Sequence, residues 1–210
     1  MAVIRCSSAL AVIASTMVGC ADASRPSEPV SPLTQPSFSS STADKTSEGR
    51  RTIKVDMLDK CDQATFDAAI GVGTCTRKRG TTFAKFVAEL TATQSARAWR
   101  FDPSTLEADV GQTIVAINRG GEVHTFTKVA KYGGGIVPFL NQLAGTPDVA
   151  PECKTLTRAE FVPPGGSDTE EPFAKSGTVR FMCCIHPWMK TTVTVEKKGA
   201  DDGARGDRGS

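Results

Sequence analysis

Histidine is nearly absent from this chain: there are two in 210 residues, His124 and His186. Chemistry that needs a large imidazole set within one polypeptide is thereby excluded. Excess charge is missing as well. The 25 basic and 23 acidic side chains leave a net charge of +2, so there is no field for a polyanion and no nucleic-acid partner is expected. Long apolar runs are lacking too: Ala9–Val18 is mostly apolar but too short to cross a bilayer as a helix. No internal repeat is visible, and the five methionines form no cluster. What remains is ordinary globular usage, 39% hydrophobic and 23% charged, which is enough for one core. Cysteine, by contrast, is plentiful. Seven are many for a reducing cytosol and point to export, metal binding or both.

The amino end reads as a signal peptide over residues 1–20. Arg5 supplies the positive charge and Ala9–Val18 the apolar segment. Met17-Val18-Gly19-Cys20 is similar to a bacterial lipoprotein processing box, with Met17 where Leu is usual. Lipid on Cys20 would hold the chain to a membrane. The competing reading is a cut after Ala23, because Ala21-Asp22-Ala23 is a small-x-small site. Residues 21–51 are rich in Ser, Pro and Thr and bury too little to offset their ordering entropy, so a disordered tether is expected. Residues 199–210 read as a disordered tail, in which Arg205-Gly206-Asp207 is taken as chance. The ordered domain is expected over 52–198. Export places the protein in the periplasm or cell envelope of a bacterium.

Within the domain, Ile53, Val55 and Met57 alternate with polar residues and predict a strand. Phe83, Phe86, Val87 and Leu90 fall at helical spacing and predict a short amphipathic helix, with both phenylalanines in the core. From Trp99 the pattern turns to β. Ile114–Ile117 and Val123–Val129 read as strands. Val179, Phe181 and Cys183 alternate with Arg180, Met182 and Cys184, and Val193 and Val195 alternate with Thr192 and Thr194. Short strands punctuated by Gly and Pro predict an all-β fold, an antiparallel Greek-key sandwich with short helices. Residues 130–176 read as a long loop insertion, marked by Gly133-Gly134-Gly135 and Pro163-Pro164-Gly165-Gly166. The run Arg77-Lys78-Arg79 reads as a solvated loop, able also to steer an acidic partner.

The residues with chemistry sit late in the chain. Cys183-Cys184-Ile185-His186-Pro187-Trp188-Met189 offers thiolate, imidazole and thioether within seven residues. His124 lies upstream, after Gly120-Gly121. Two imidazoles, one thiolate and a weak thioether suit copper cycling between Cu(II) and Cu(I). Cys184 competes with Cys183 for the thiolate place. Alternation puts Cys183 on the face of Val179 and Phe181 and Cys184 on that of Arg180, which favours Cys183. Zinc held by both cysteines and both histidines is the other reading of the same donors. Trp188 and Tyr132 are read as packing residues that could also lie on an electron path.

These stretches resemble the cupredoxins, the type 1 blue copper proteins. One carries Phe101-x-Pro103, Leu106, Gly111, the Ile114–Ile117 strand, Asn118 and His124. The other carries Cys183, two residues, His186, two residues and Met189, a ligand loop most like those of amicyanin- and plastocyanin-type members. The resemblance implies a cupredoxin-like sandwich with one type 1 copper ion held by His124, Cys183, His186 and Met189. It also implies that His186 lies near the surface as the electron exit. Two departures stand out: Thr125 follows the first histidine where Asn is frequent, and Cys184 follows the ligand cysteine where Thr or Ser is frequent.

With Cys183 assigned to metal by this resemblance, and Cys6 and Cys20 at the amino end, Cys61, Cys75, Cys153 and Cys184 remain. Four cysteines allow three connectivities. Cys61–Cys75, close in sequence, is the first expectation. Cys153–Cys184 would then pin the insertion beside the ligand loop, the alternative being a free, buried Cys184. The function implied is a monomeric electron carrier, not an enzyme, serving an extracytoplasmic redox protein as donor or acceptor. A self-contained multicopper oxidase or nitrite reductase would need more histidines. A periplasmic copper carrier or storage protein is the alternative, though such proteins usually show Met or His clusters.

Overall fold

The computed structural model describes residues 52–197. The signal segment, the Cys20 lipid site, the tether and the tail expected from the sequence lie outside the described residues.

Two four-stranded sheets face each other. The first has β1 (Ile53–Leu58) between β2 (Arg100–Asp102) and β4 (Ile114–Asn118), with β6 (Ser167–Thr169) on the far edge of β4. The second runs β3 (Thr105–Asp109), β8 (Lys190–Glu196), β7 (Gly177–Met182), β5 (Thr127–Val129). Alternation drives the packing. Val55 and Met57 of β1, Ile114 and Ala116 of β4, and Val193 and Val195 of β8 are all buried in one core. Phe126 and Phe181 stack at its centre, 4.3 Å between rings, with Phe101 edge-on to Phe126 at 5.2 Å.

The sandwich and its short helices follow the sequence expectation; the pairing departs from it. β1 with β4 and β3 with β8 run parallel, so both sheets are mixed and not purely antiparallel. The stretch from β1 to β4 is long enough for the crossover that parallel neighbours require. It contains α1 (Gln63–Ala69) and α2 (Phe83–Thr93). Asp62 caps α1 by accepting from the Thr65 N–H at 3.1 Å, and Thr82 caps α2 by accepting from the Lys85 N–H. Phe66, Phe86 and Leu90 point inward from these helices, and Phe86 packs on Trp99 at 4.5 Å.

Two readings need correction. Val123–Val129 is not one strand. Only Thr127–Val129 joins a sheet, and His124 makes an isolated bridge with Val162. Residues 130–176 are not a plain loop either. They contain α3 (Pro138–Leu143), 3-10 turns at Pro151–Lys154 and Arg158–Glu160, and β6, which pairs with β4. Each piece is too short to show a period, which is why the sequence reads as loop. The insertion builds a second small core, in which Val129, Ala150, Cys153, Met182 and Cys184 are buried with Tyr132, Val149 and Leu156 against them. The close approach requires Gly135, where a Cβ would fall on the Cys184 carbonyl.

Candidate metal centre

β7 ends at Met182, and the chain passes straight into the ligand loop. Strand alternation carries one residue further and separates the two cysteines. Cys183 continues the Phe181 side into the main core; Cys184 continues the Met182 side into the second core. Cys184 is disulfide-bonded to Cys153, and Cys61 to Cys75, while Cys183 stays free and buried. Both pairings are those expected. The bond at Cys184 removes it as a metal donor, and with it the zinc reading.

His124, Cys183 and His186 meet at one point. Cys183 Sγ is 3.8 Å from Nδ1 of His124 and 3.8 Å from Nδ1 of His186, and all three are buried. Sulfur and nitrogen donors at about 2.3 and 2.0 Å from one ion, and about 120° apart, lie roughly 3.7 Å from each other. The donor atoms thus sit at the spacing a trigonal metal would need. Met189 is fully buried four residues beyond Ile185, with its N–H donating to His186 O at 2.9 Å and its carbonyl accepting from Cys183 N at 3.0 Å. These bonds close the loop on itself. Cys183 Sγ also accepts backbone N–H groups of Thr125 and His186, both at 3.5 Å.

Thr125, which stands where the resemblance has Asn, ties the ligand loop down. Its hydroxyl oxygen accepts from the Cys184 N–H at 2.8 Å, fastening the ligand loop to the segment that carries His124.

A carboxylate missed by sequence reading sets the His124 ring. Asp59 is buried just after β1 and accepts from the N–H groups of Cys61, Gly121 and Glu122 at 3.1, 2.8 and 3.0 Å. With so many donors it is an ionised acceptor, so His124 Nε2, 3.0 Å away, must carry the proton. That leaves Nδ1 facing Cys183. Gly120 allows the approach, since a Cβ there would fall on the Asp59 carboxylate. The only sequence signal was Gly120-Gly121; nothing local marks Asp59.

Glu122 stands behind the other imidazole. Its Oε2 is 3.8 Å from His186 Nε2 and accepts the indole N–H of Trp99. Trp188 lies edge-on to His186, ring centroids 5.4 Å apart, and Phe86 lies against Trp188 at 5.9 Å. The expectation of a surface His186 is therefore wrong: it is 3% exposed. The helical stretch between β1 and β2 backs the Trp188 ring with Phe86. Tyr132 packs in the second core instead, its hydroxyl 2.8 Å from Thr191 O.

Charge follows from these contacts. Burial works to raise Asp59, but the His124 ring and the Glu122 and Gly121 N–H groups outweigh it and hold the carboxyl well below the usual range. Burial opposes the His124 imidazolium, yet Asp59 and the Cys183 sulfur overcome it and raise the ring to about 9. Burial also opposes the Cys183 thiolate, but the two imidazoles hold its value well below that of a free thiol. Glu122 is raised, mainly by burial. Metal-free, the centre is a thiolate against imidazolium. A soft cation can take the proton's place with no change in the donors.

Two facing four-stranded sheets, with a His–Cys–His cluster where β7 runs out, are consistent with a cupredoxin-like fold. No protein-family model and no curated protein sequence matches the chain. Solved structures similar to it are cupredoxins. A purple cupredoxin from Nitrosopumilus maritimus is 14% identical over 69% of this chain and 99% of that one, with a TM-score of 0.38. Oxidised plastocyanin from Dryopteris crassirhizoma is 15% identical over 68% and 99%, with a TM-score of 0.35. The M98A mutant of amicyanin, as Cu(I), is 21% identical over 46% and 73%, with a TM-score of 0.32. The fold class rests on the chain's own strand order and cluster, not on these scores.

Proposed function

We propose that this protein is an exported carrier of single electrons that would hold one type 1 copper ion through His124, Cys183 and His186, with Met189 as a fourth, weak donor. The observation that carries the reading is the 3.8 Å spacing of Cys183 Sγ from both Nδ1 atoms in a buried pocket. When bound there, copper supplies reversible one-electron chemistry. The chain supplies the rest. Asp59 fixes the His124 tautomer, the Thr125 and His186 amides stabilise the thiolate, and the sandwich keeps the donors in place when charge changes. No substrate step is needed, so the protein is read as a carrier and not an enzyme. Burial of Cys183, His186 and Met189 supports a retained ion over the carrier or storage role, which needs ready exchange.

Export is supported by the two disulfides, which persist in an oxidising compartment. We take the periplasm or cell envelope of a bacterium as its place, with lipid on Cys20 as the membrane link. A monomer meeting another extracytoplasmic redox protein completes the reading.

The test is to load the full chain with Cu(II) and record visible absorption and electron paramagnetic resonance spectra. An intense thiolate-to-copper band that bleaches and returns through redox cycles is expected. Met189→Leu should keep the band and raise the reduction potential, because Cu(II) loses a donor. A colourless complex, or copper lost on each reduction, would sink the reading and favour carriage.

A further inference from the structure

Electron transfer needs a route from the buried centre to solvent, and the direct one is closed. His186 lies against Trp188 and Glu122, and it is 3% exposed. Trp188 touches both sides of this barrier. Its ring meets His186 edge-on at 5.4 Å, and the half-buried residue also lines a surface groove of about 360 Å³. That groove carries Arg97, Arg100 and Lys190, with Asp102 as its only acid among the described residues. Asp102 is already engaged by Arg100 at 3.1 Å. Arg97 and Arg100 are exposed, on the stretch leading into β2. The groove is therefore cationic on a molecule whose overall charge is only +2.

We propose that this groove is the docking face for the acidic surface of a redox partner, with Trp188 as the electron port to His186. The proposal rests on the copper-carrier reading and adds the partner's charge and the route. One electron leaves the reduced centre through His186 and Trp188 and enters a one-electron oxidant seated on Arg97 and Arg100. The centre ends one electron poorer and the oxidant one electron richer, with no bond or proton changed. Tryptophan and arginine are the side chains that most often anchor protein interfaces, and opposite charge speeds encounter.

Two arms test it on the full chain. The first needs no copper. The chain has two tryptophans, so its nitrogen-labelled indole spectrum holds two signals, assigned with Trp188→Phe. Titration with hexacyanochromate(III), a redox-inert paramagnetic anion, should broaden the Trp188 signal before that of Trp99. The broadening should disappear at high salt and in Arg97→Glu/Arg100→Glu. Broadening that persists in the double variant overturns the docking face.

The second arm uses the copper-loaded, reduced chain and hexacyanoferrate(III) as oxidant. Reversing both arginines should slow oxidation by roughly tenfold or more at low salt, the lower end of electrostatic steering. Trp188→Leu should slow it with the visible band of the reoxidised protein unchanged. An unchanged rate with an unchanged band overturns the port. A wild-type chain that gives no blue band overturns the copper-carrier reading and the port with it, while the first arm still decides the docking face.

Discussion

Cys183 and Cys184 are successive residues with the same side chain, and both are fully buried. One faces two imidazoles in the main core; the other is oxidised onto Cys153 in a small core built by the insertion. The difference is a half-turn of the strand pleat. Each residue past β7 points to the opposite face, so one position decides between a free thiolate and a cross-link. The lesson is that burial by itself does not assign a role to a cysteine. What lies on its side of the sheet does.

The comparison breaks most sharply at Cys183. Cys183→Ser should abolish the thiolate-to-copper band altogether, measured by visible absorption after loading, while both disulfides survive mass mapping. On the other side, Cys153→Ala/Cys184→Ala should keep the band. It should lower stability by about 3–4 kcal/mol, the chain-entropy value for a closed loop of this 31-residue separation, read by denaturant titration. A lost band in that variant would mean the insertion shapes the site directly.

Asp59→Asn comes next, with a loss of about 1.5–3 kcal/mol for one buried hydrogen bond to a charged group. Its pH signature is clearest without metal and with Cys183 changed to Ala, since the depressed thiol value of Cys183 contributes with the opposite sign. The His124 ring holds its proton to about 9 when folded, against 6.5 for a free imidazole side chain. A raised base stabilises fully below the unfolded value and loses that contribution as pH rises through the folded one. Cys183→Ala removes the sulfur's share of that rise, so the metal-free variant should lose stability over a narrower window that opens near 6.5 and closes below 9. Adding Asp59→Asn should flatten that slope; a slope left intact would show that Asp59 does not hold the ring.

Thr125→Val gives the smallest change. It strands the Cys184 N–H, at about 1 kcal/mol for one ordinary hydrogen bond, and Thr125→Ser should restore it. Thermal unfolding checks the stability. The copper band should shift slightly in the Val variant, because the same segment donates its N–H to Cys183 Sγ.

Much of the site was legible in the chain. Cys183, His186 and Met189 are local, and their spacing survives in any fold that turns sharply after a strand. The pattern Val179, Phe181, Cys183 by itself separates the two cysteines, because the pleat has period two. The same holds for α2, whose phenylalanines mark a helical face. Parallel pairing of β1 with β4 was not legible, since alternation is the same in either direction. Nor was the insertion, whose helices and β6 are too short to leave a period.

The amino-acid sequence by itself determined the spacing of the candidate donors Cys183, His186 and Met189, the face of each cysteine and the two buried β faces, because these depend on neighbours a few residues away. Tertiary structure alone decided that Asp59 would orient His124 across a separation of 65 residues. It alone decided that Phe86 would back Trp188 against His186 and that Trp99 would hold Glu122 beside it. Those contacts join segments far apart in the chain, where side-chain identity leaves no local trace and packing makes the choice.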